Sequence, residues 1–181
     1  MGTSHEDILQ LIKAKAENLY LARRMLCAEA VLVTLNHTFK AGLSEEQAVS
    51  LAAPFCVGIG DSGCLCGALS GGVLSLGLIL GADSPYHYRK KIRSASRDLH
   101  NRFRDRFGST CCRVISKTIK HDSKAHFIQC AGLTAETAGL TAEILLSIKP
   151  DLVSNMDQAF LHKRETKIGG IARTLVQRAQ F

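Results

Sequence analysis

The stretch Cys66-Gly67-Ala68-Leu69-Ser70-Gly71-Gly72-Val73-Leu74-Ser75-Leu76-Gly77-Leu78-Ile79-Leu80 carries no charge on any face. A helix that is apolar all round has no side to offer water, so it belongs in the middle of a bundle or inside a membrane. The uncharged run extends from Ser62 to Ala82, long enough to consider a span. Its glycines and its hydroxyl and thiol groups dilute the hydrophobicity, and no aromatic belt flanks it. The spacing therefore predicts a buried central helix, with Gly67 and Gly71, four residues apart, letting another helix approach closely.

Outward from that helix the chain reads as helical throughout. Ser4 and Asp7 form a capping pair ahead of Ile8, Ile12, Leu19 and Met25, which recur at helical spacing. A break near Cys27 precedes the apolar run Cys27–Leu35, with Gly42 as a stop. Ser44 and Gln47 make a capping box for a short helix that Pro54 ends. The segment Cys56–Leu65, rich in glycine, reads as a tight loop that brings backbone close to something else.

After Gly81 and Pro85, Tyr88, Ile92, Ala95, Leu99, Phe103 and Phe107 line one face of a basic amphipathic helix. Ser109 is placed to cap a further helix containing Cys112, and another is expected to begin near Thr134, just past Cys130, and to end at Lys149-Pro150. Beyond Pro150, Leu152, Met156 and Phe160, then Ile168, Ile171, Leu175 and Val176, indicate two short amphipathic helices. No strand is expected. The reading is an all-α, compact helical bundle around a buried Gly-rich central helix, divided into a helical domain over 1–149 and a C-terminal helical extension over 150–181.

Composition narrows the class. Of the 181 residues, 46% are hydrophobic and 22% charged, and only three are proline, which fits an ordered globular chain. The formal charge of +7 concentrates between Tyr86 and Phe107, where eight Lys or Arg face Asp98 and Asp105. The polar, acidic start lacks the basic and apolar regions of a secretory signal, so a cytoplasmic location is expected. Seven cysteines in a reducing compartment argue for metal binding or redox chemistry over a disulfide framework.

Cys27, Cys66, Cys112 and Cys130 each fall at or near an expected helix start, where backbone N–H groups and the helix dipole favour thiolate. There is no Cys-x-x-Cys-His for haem attachment, no Cys-x-x-Cys for a thioredoxin motif or zinc ribbon, and no ferredoxin spacing. Four such distant cysteines make a site only if folding brings them together.

Four ordered elements then carry a resemblance: Cys27-Ala28-Glu29-Ala30-Val31; Cys66-Gly67-Ala68-Leu69-Ser70-Gly71 with Leu76-Gly77-Leu78; Phe107-Gly108-Ser109-Thr110-Cys111-Cys112-Arg113; and Cys130 ahead of a helix. From about Cys27 to Ile148 the chain resembles the small redox-active proteins of the C_GCAxxG_C_C family, related to the non-haem part of split-Soret cytochromes c. The resemblance implies a helical domain in which Cys27, Cys66, Cys112 and Cys130 bind an iron-sulfur cluster or act as redox-active thiols. It also implies a functional link to a membrane transporter, and it establishes no enzymatic reaction.

A cluster of the 2Fe-2S type is the first expectation, serving electron transfer or redox sensing, since thiolates are the soft ligands that select iron-sulfur clusters or zinc. Zinc bound structurally, or no metal and a dithiol-disulfide cycle helped by Arg23, Arg24 or Arg113, are the alternatives. Cys64 and Cys111 are candidate substitutes in the ligand set, while Cys56 reads as surplus to the pattern. His121 and His126 flank Cys130 and are candidate mixed ligands. The expected partner is an acidic redox protein steered by the basic helix, with a homodimer also considered and no nucleic acid. A basic interaction module whose cysteines are merely buried is the remaining alternative.

Overall fold

The computed structural model describes residues 4–166. The chain is all-α, and helix α1 (His5–Leu21) opens with the expected box, Ser4 Oγ accepting from Asp7 N and Asp7 Oδ2 accepting from Ser4 N, both at 3.1 Å. The helix stops at Leu21, earlier than its apolar spacing implies, because the chain turns through Arg23 in the left-handed region (φ 55°). Helix α2 (Cys27–Thr38) then starts at Cys27 itself. Helix α3 (Glu45–Ala52) uses the Ser44–Gln47 box, and the 3-10 turn Ala53–Phe55 follows it.

The central helix is α5 (Gly67–Leu80), with Cys66 as its N-cap. Ahead of it lies the turn α4 (Cys56–Ile59), which is not right-handed in its interior. Helices α6 (Pro85–Phe107), α7 (Cys112–Ile115) and α8 (Ser123–Ile148) complete the bundle, and α9 (Gln158–His162) comes after a 3-10 turn at Pro150–Asn155. Among the described residues there is one isolated antiparallel bridge, Leu65 to Cys111, and no strand. Likewise no helix is long and apolar enough to cross a membrane.

Helix α5 packs against α2, α6 and α8, while α1 lies across α8 and α2. The glycines make this closeness feasible. A Cβ at Gly71 would stand 2.5 Å from the Ala28 carbonyl oxygen, and one at Gly72 would stand 2.6 Å from Thr141 Oγ1 and 2.8 Å from Leu99 Cδ2. On α8 the buried hydroxyls are satisfied locally: Thr134, Thr137 and Thr141 donate to carbonyls one turn back at 2.6–2.8 Å. The basic helix buries Ala95, Leu99 and Phe103 and turns its cations outward.

Two expectations are corrected. Helix α8 begins at Ser123, well before Thr134, because Asp122 accepts from Lys124 N and Ala125 N and caps it there. The helix expected after Ser109 is a single turn, after which the chain continues in tighter turns, Lys117 N donating to Val114 O at 3.3 Å and Ile119 N to Ser116 O at 3.1 Å. The chain from 150 to 166 folds back on α1 and α2: Lys15 Nζ donates to Lys163 O at 2.6 Å, and Asn18 exchanges bonds with the Glu165 backbone at 2.8 and 3.0 Å. The second amphipathic helix expected there, around Ile168, Ile171, Leu175 and Val176, lies outside the described residues.

Candidate functional site

Cys27, Cys66, Cys112 and Cys130 all line one apolar cavity of about 60 Å³, together with Tyr20, Leu26, Val57, His126 and Gln129. Each cysteine arrives by a different route. Cys27 is the first residue of α2, and Cys66 caps α5. Cys112 opens α7, held by its N–H donating to Cys64 O at 2.7 Å, beside Cys66 N donating to Thr110 O at 2.8 Å. This short pairing of two loops clasps the second and third cysteines to one another. Cys130 sits within the long helix α8, not at a helix start, so the dipole account of its reactivity does not apply to it.

The thiols differ sharply in character. Cys27 is held down to about 7, chiefly by the Cys56 thiol that hydrogen-bonds to it and also by backbone N–H groups of Val57 and Ala28, against an opposing push from burial. Burial pushes Cys66 up to about 12 and Cys130 up to about 11, with the neighbouring Cys27 sulfur adding to both. Burial and then Cys27 raise Cys112 as well. The Tyr20 hydroxyl donates to Cys130, and burial followed by Cys130 and Cys27 raises the tyrosine's own pKa. The charge of Cys27 thus reaches the other three sulfurs across the cavity, and that of Cys112 reaches Cys66 and Cys130.

Cys56 was legible in the sequence only as a surplus cysteine, yet it is buried in contact with Cys27, and its own pKa is raised foremost by that contact. Its Sγ also lies 3.8 Å from Ala52 O, a second acceptor for the same proton. Gly67 explains the tightness here, because a Cβ there would collide with Cys27 Sγ and stand 2.9 Å from Phe55 O and 3.4 Å from Cys56 Cα. Cys64 is exposed, and Cys111 donates to Gly63 O at 3.3 Å; neither lines the cavity.

His126 lines the cavity, with its Nε2 buried and unpartnered among the described residues, as is Gln129 Oε1, whereas His121 is exposed. The arginines expected to activate the thiols are occupied elsewhere. Arg24 binds Glu45 at 2.5 Å and Glu165 at 2.6 Å, Arg23 lies 4.7 Å over the Phe127 ring, and Arg113 donates to Ser62 O at 2.9 Å. All seven cysteines are free, and no three His, Cys, Asp or Glu side chains among the described residues are grouped closely enough to hold a single metal ion.

Such a cavity can bind a soft, multinuclear group through thiolates, or run thiol chemistry from Cys27. No match was found among curated proteins or among solved structures. A family model, described as putative redox-active protein (C_GCAxxG_C_C), matches residues 25–144, a segment that contains all seven cysteines. The chain belongs to that C_GCAxxG_C_C family.

Proposed function

We propose that Cys27, Cys66, Cys112 and Cys130 hold an iron-sulfur cluster of the 2Fe-2S type and that the protein serves electron transfer or redox sensing. The observation that carries this reading is the convergence of those four thiols, from four separate elements, on one apolar cavity. Three of the four are pushed up by burial and by a neighbouring sulfur, so as free groups they do not ionise together. A cationic iron centre removes that conflict, because thiols that coordinate it lose their protons outright. A two-iron group, which needs two thiolates at each iron, suits this better than one zinc ion, since no three donors among the described residues close on a single point.

When bound, the cluster supplies one-electron chemistry at a potential set by its surroundings. The protein's part is to orient and tune. Donors reach three of the sulfurs: Val57 and Ala28 N–H to Cys27, Ala68 and Leu69 N–H to Cys66, and the Tyr20 hydroxyl to Cys130. Such bonds stabilise the more negative, reduced state. The proposed partner is an acidic redox protein, attracted by Lys90, Lys91, Arg93 and Arg97, which are exposed on α6 and form no ion pair among the described residues.

The test is anaerobic purification or reconstitution followed by visible spectroscopy and iron and sulfide analysis. Charge-transfer bands with equal iron and sulfide, lost in Cys66→Ser and Cys130→Ser, are the expected result. A colourless protein holding zinc, or no metal after reconstitution, overturns it.

A further inference from the structure

Cys56 lies outside the four cysteines of the proposed cluster, and its burial alone does not account for its placement. Its thiol is the one cysteine side chain that hydrogen-bonds to Cys27, whereas Cys66, Cys112 and Cys130 sense Cys27 only through its charge across the cavity. Gly67 is the seam between the two, since the Cβ it lacks would touch both Cys27 Sγ and the Cys56 backbone. Cys56 also stands at the head of a run of five residues with positive φ, Val57 to Asp61 (54–73°), three of them not glycine. Backbone of this kind is held in place by its surroundings and concentrates at functional sites.

The site is reachable. Leu26 and Val57 both line the cavity and are 47% and 40% exposed, so the cavity opens at the Cys27 end. A volume of about 60 Å³ has room for a few molecules the size of water or hydrogen peroxide.

We propose that Cys27 and Cys56 form a dithiol couple that hydrogen peroxide closes to a disulfide. The Cys27 thiolate attacks one peroxide oxygen, the O–O bond breaks, and hydroxide leaves, giving a sulfenic acid. The Cys56 sulfur then attacks the Cys27 sulfur, the S–O bond breaks, and the hydroxyl departs with the Cys56 proton as water. The two cysteines lose two electrons, and the peroxide is reduced to water. The couple requires no metal, so it goes beyond the cluster reading and does not depend on it.

The full-length chain, reduced and stripped of metal with a chelator, is treated with one equivalent of hydrogen peroxide. Remaining thiols are alkylated and the protein is digested with trypsin and a protease cutting before Asp61, which separates Cys56 from Cys64 and Cys66. The expected result is loss of two of the seven thiols and one linked peptide pair joining Cys27 to Cys56, reversed by a thiol reductant. In Cys56→Ser the Cys27 sulfenic acid persists and is trapped by dimedone. A disulfide joining Cys27 to Cys66, Cys112 or Cys130, or oxidation of Cys27 with Cys56 still free to alkylate, overturns the proposal. The mapping on the wild-type chain decides the matter even if the variant does not fold. Iron and sulfide content, measured separately, decides the cluster reading.

Discussion

Gly67 is where one methyl group separates the observed site from a disrupted one. Because the Cys27 sulfur occupies the place of its Cβ, Gly67→Ala must push α2 from α5 or swing Cys27 out of the cavity. Overpacking of this kind costs about 1–3 kcal/mol, read as a lower urea midpoint, and the alkylation rate of Cys27 changes with it. The Cys27 thiol itself gives a pH signature. Its pKa is lowered in the fold, so the stability it contributes is fully present above its ordinary value of 9.0 and is lost as pH falls through about 7. Iodoacetamide labelling of Cys27 should accordingly titrate near 7. Removing the Cys56 donor in Cys56→Ala should move that midpoint up, and an unchanged midpoint would show that Cys56 does not hold the thiolate.

Among elements, the left-handed turn from Val57 to Asp61 does most to shape the site, and two of its glycines separate backbone strain from packing. Gly58 and Gly60 both have positive φ, 73° and 56°, so alanine at either is strained by about 1–2 kcal/mol. A Cβ at Gly60 meets nothing within 4 Å, whereas one at Gly58 stands 2.9 Å from Cys112 Cβ and from backbone atoms of Gly63 and Cys64. Gly58→Ala should therefore lose at least 1 kcal/mol more than Gly60→Ala in urea unfolding, and equal losses would count against the packing of Cys112 against this turn. Legibility divides along the same line. Capping pairs at Ser4 and Ser44, the charge-free run of α5 and the apolar stripe of α6 are local signals, and sequence reading recovers each of them. The left-handed turn falls within the Gly-rich segment that reads as a tight loop, but the clasp between Leu65 and Cys111 and the contact of Cys56 with Cys27 are made by residues distant in the chain, which periodicity does not reach. The start of α8 is a different matter, because Asp122 ahead of Ser123 is a local capping signal of the same kind as Ser4 and Ser44.

At the scale of the whole molecule, charge is sorted into a fastened part and a free part. The cations at the C-terminal end of α6 are paired, Arg102 with Asp98 and Glu143 and Arg106 with Glu136, while Lys90, Lys91, Arg93 and Arg97 nearer its start are left to solvent. Arg24 is the deepest fastening: its side chain is 10% exposed, and it joins the end of α1 to Glu45 of α3 and to Glu165 of the returning C-terminal segment. Arg24→Ala leaves two carboxylates facing one another with their cation gone, which costs about 3 kcal/mol for a largely buried pair. In a chain of this length that is a fall in Tm of roughly 6–12 °C. The same variant separates a structural arginine from one that activates a thiol. The Cys56 thiol, opposed by burial and helped by backbone N–H groups, is what acts on Cys27, and Arg24 is engaged with its two carboxylates, so the pH midpoint for labelling Cys27 should stay near 7 while the Tm drops. A midpoint that rises with the loss of Arg24, at a temperature where the variant is still folded, would return this arginine to the site and make the latch part of the chemistry.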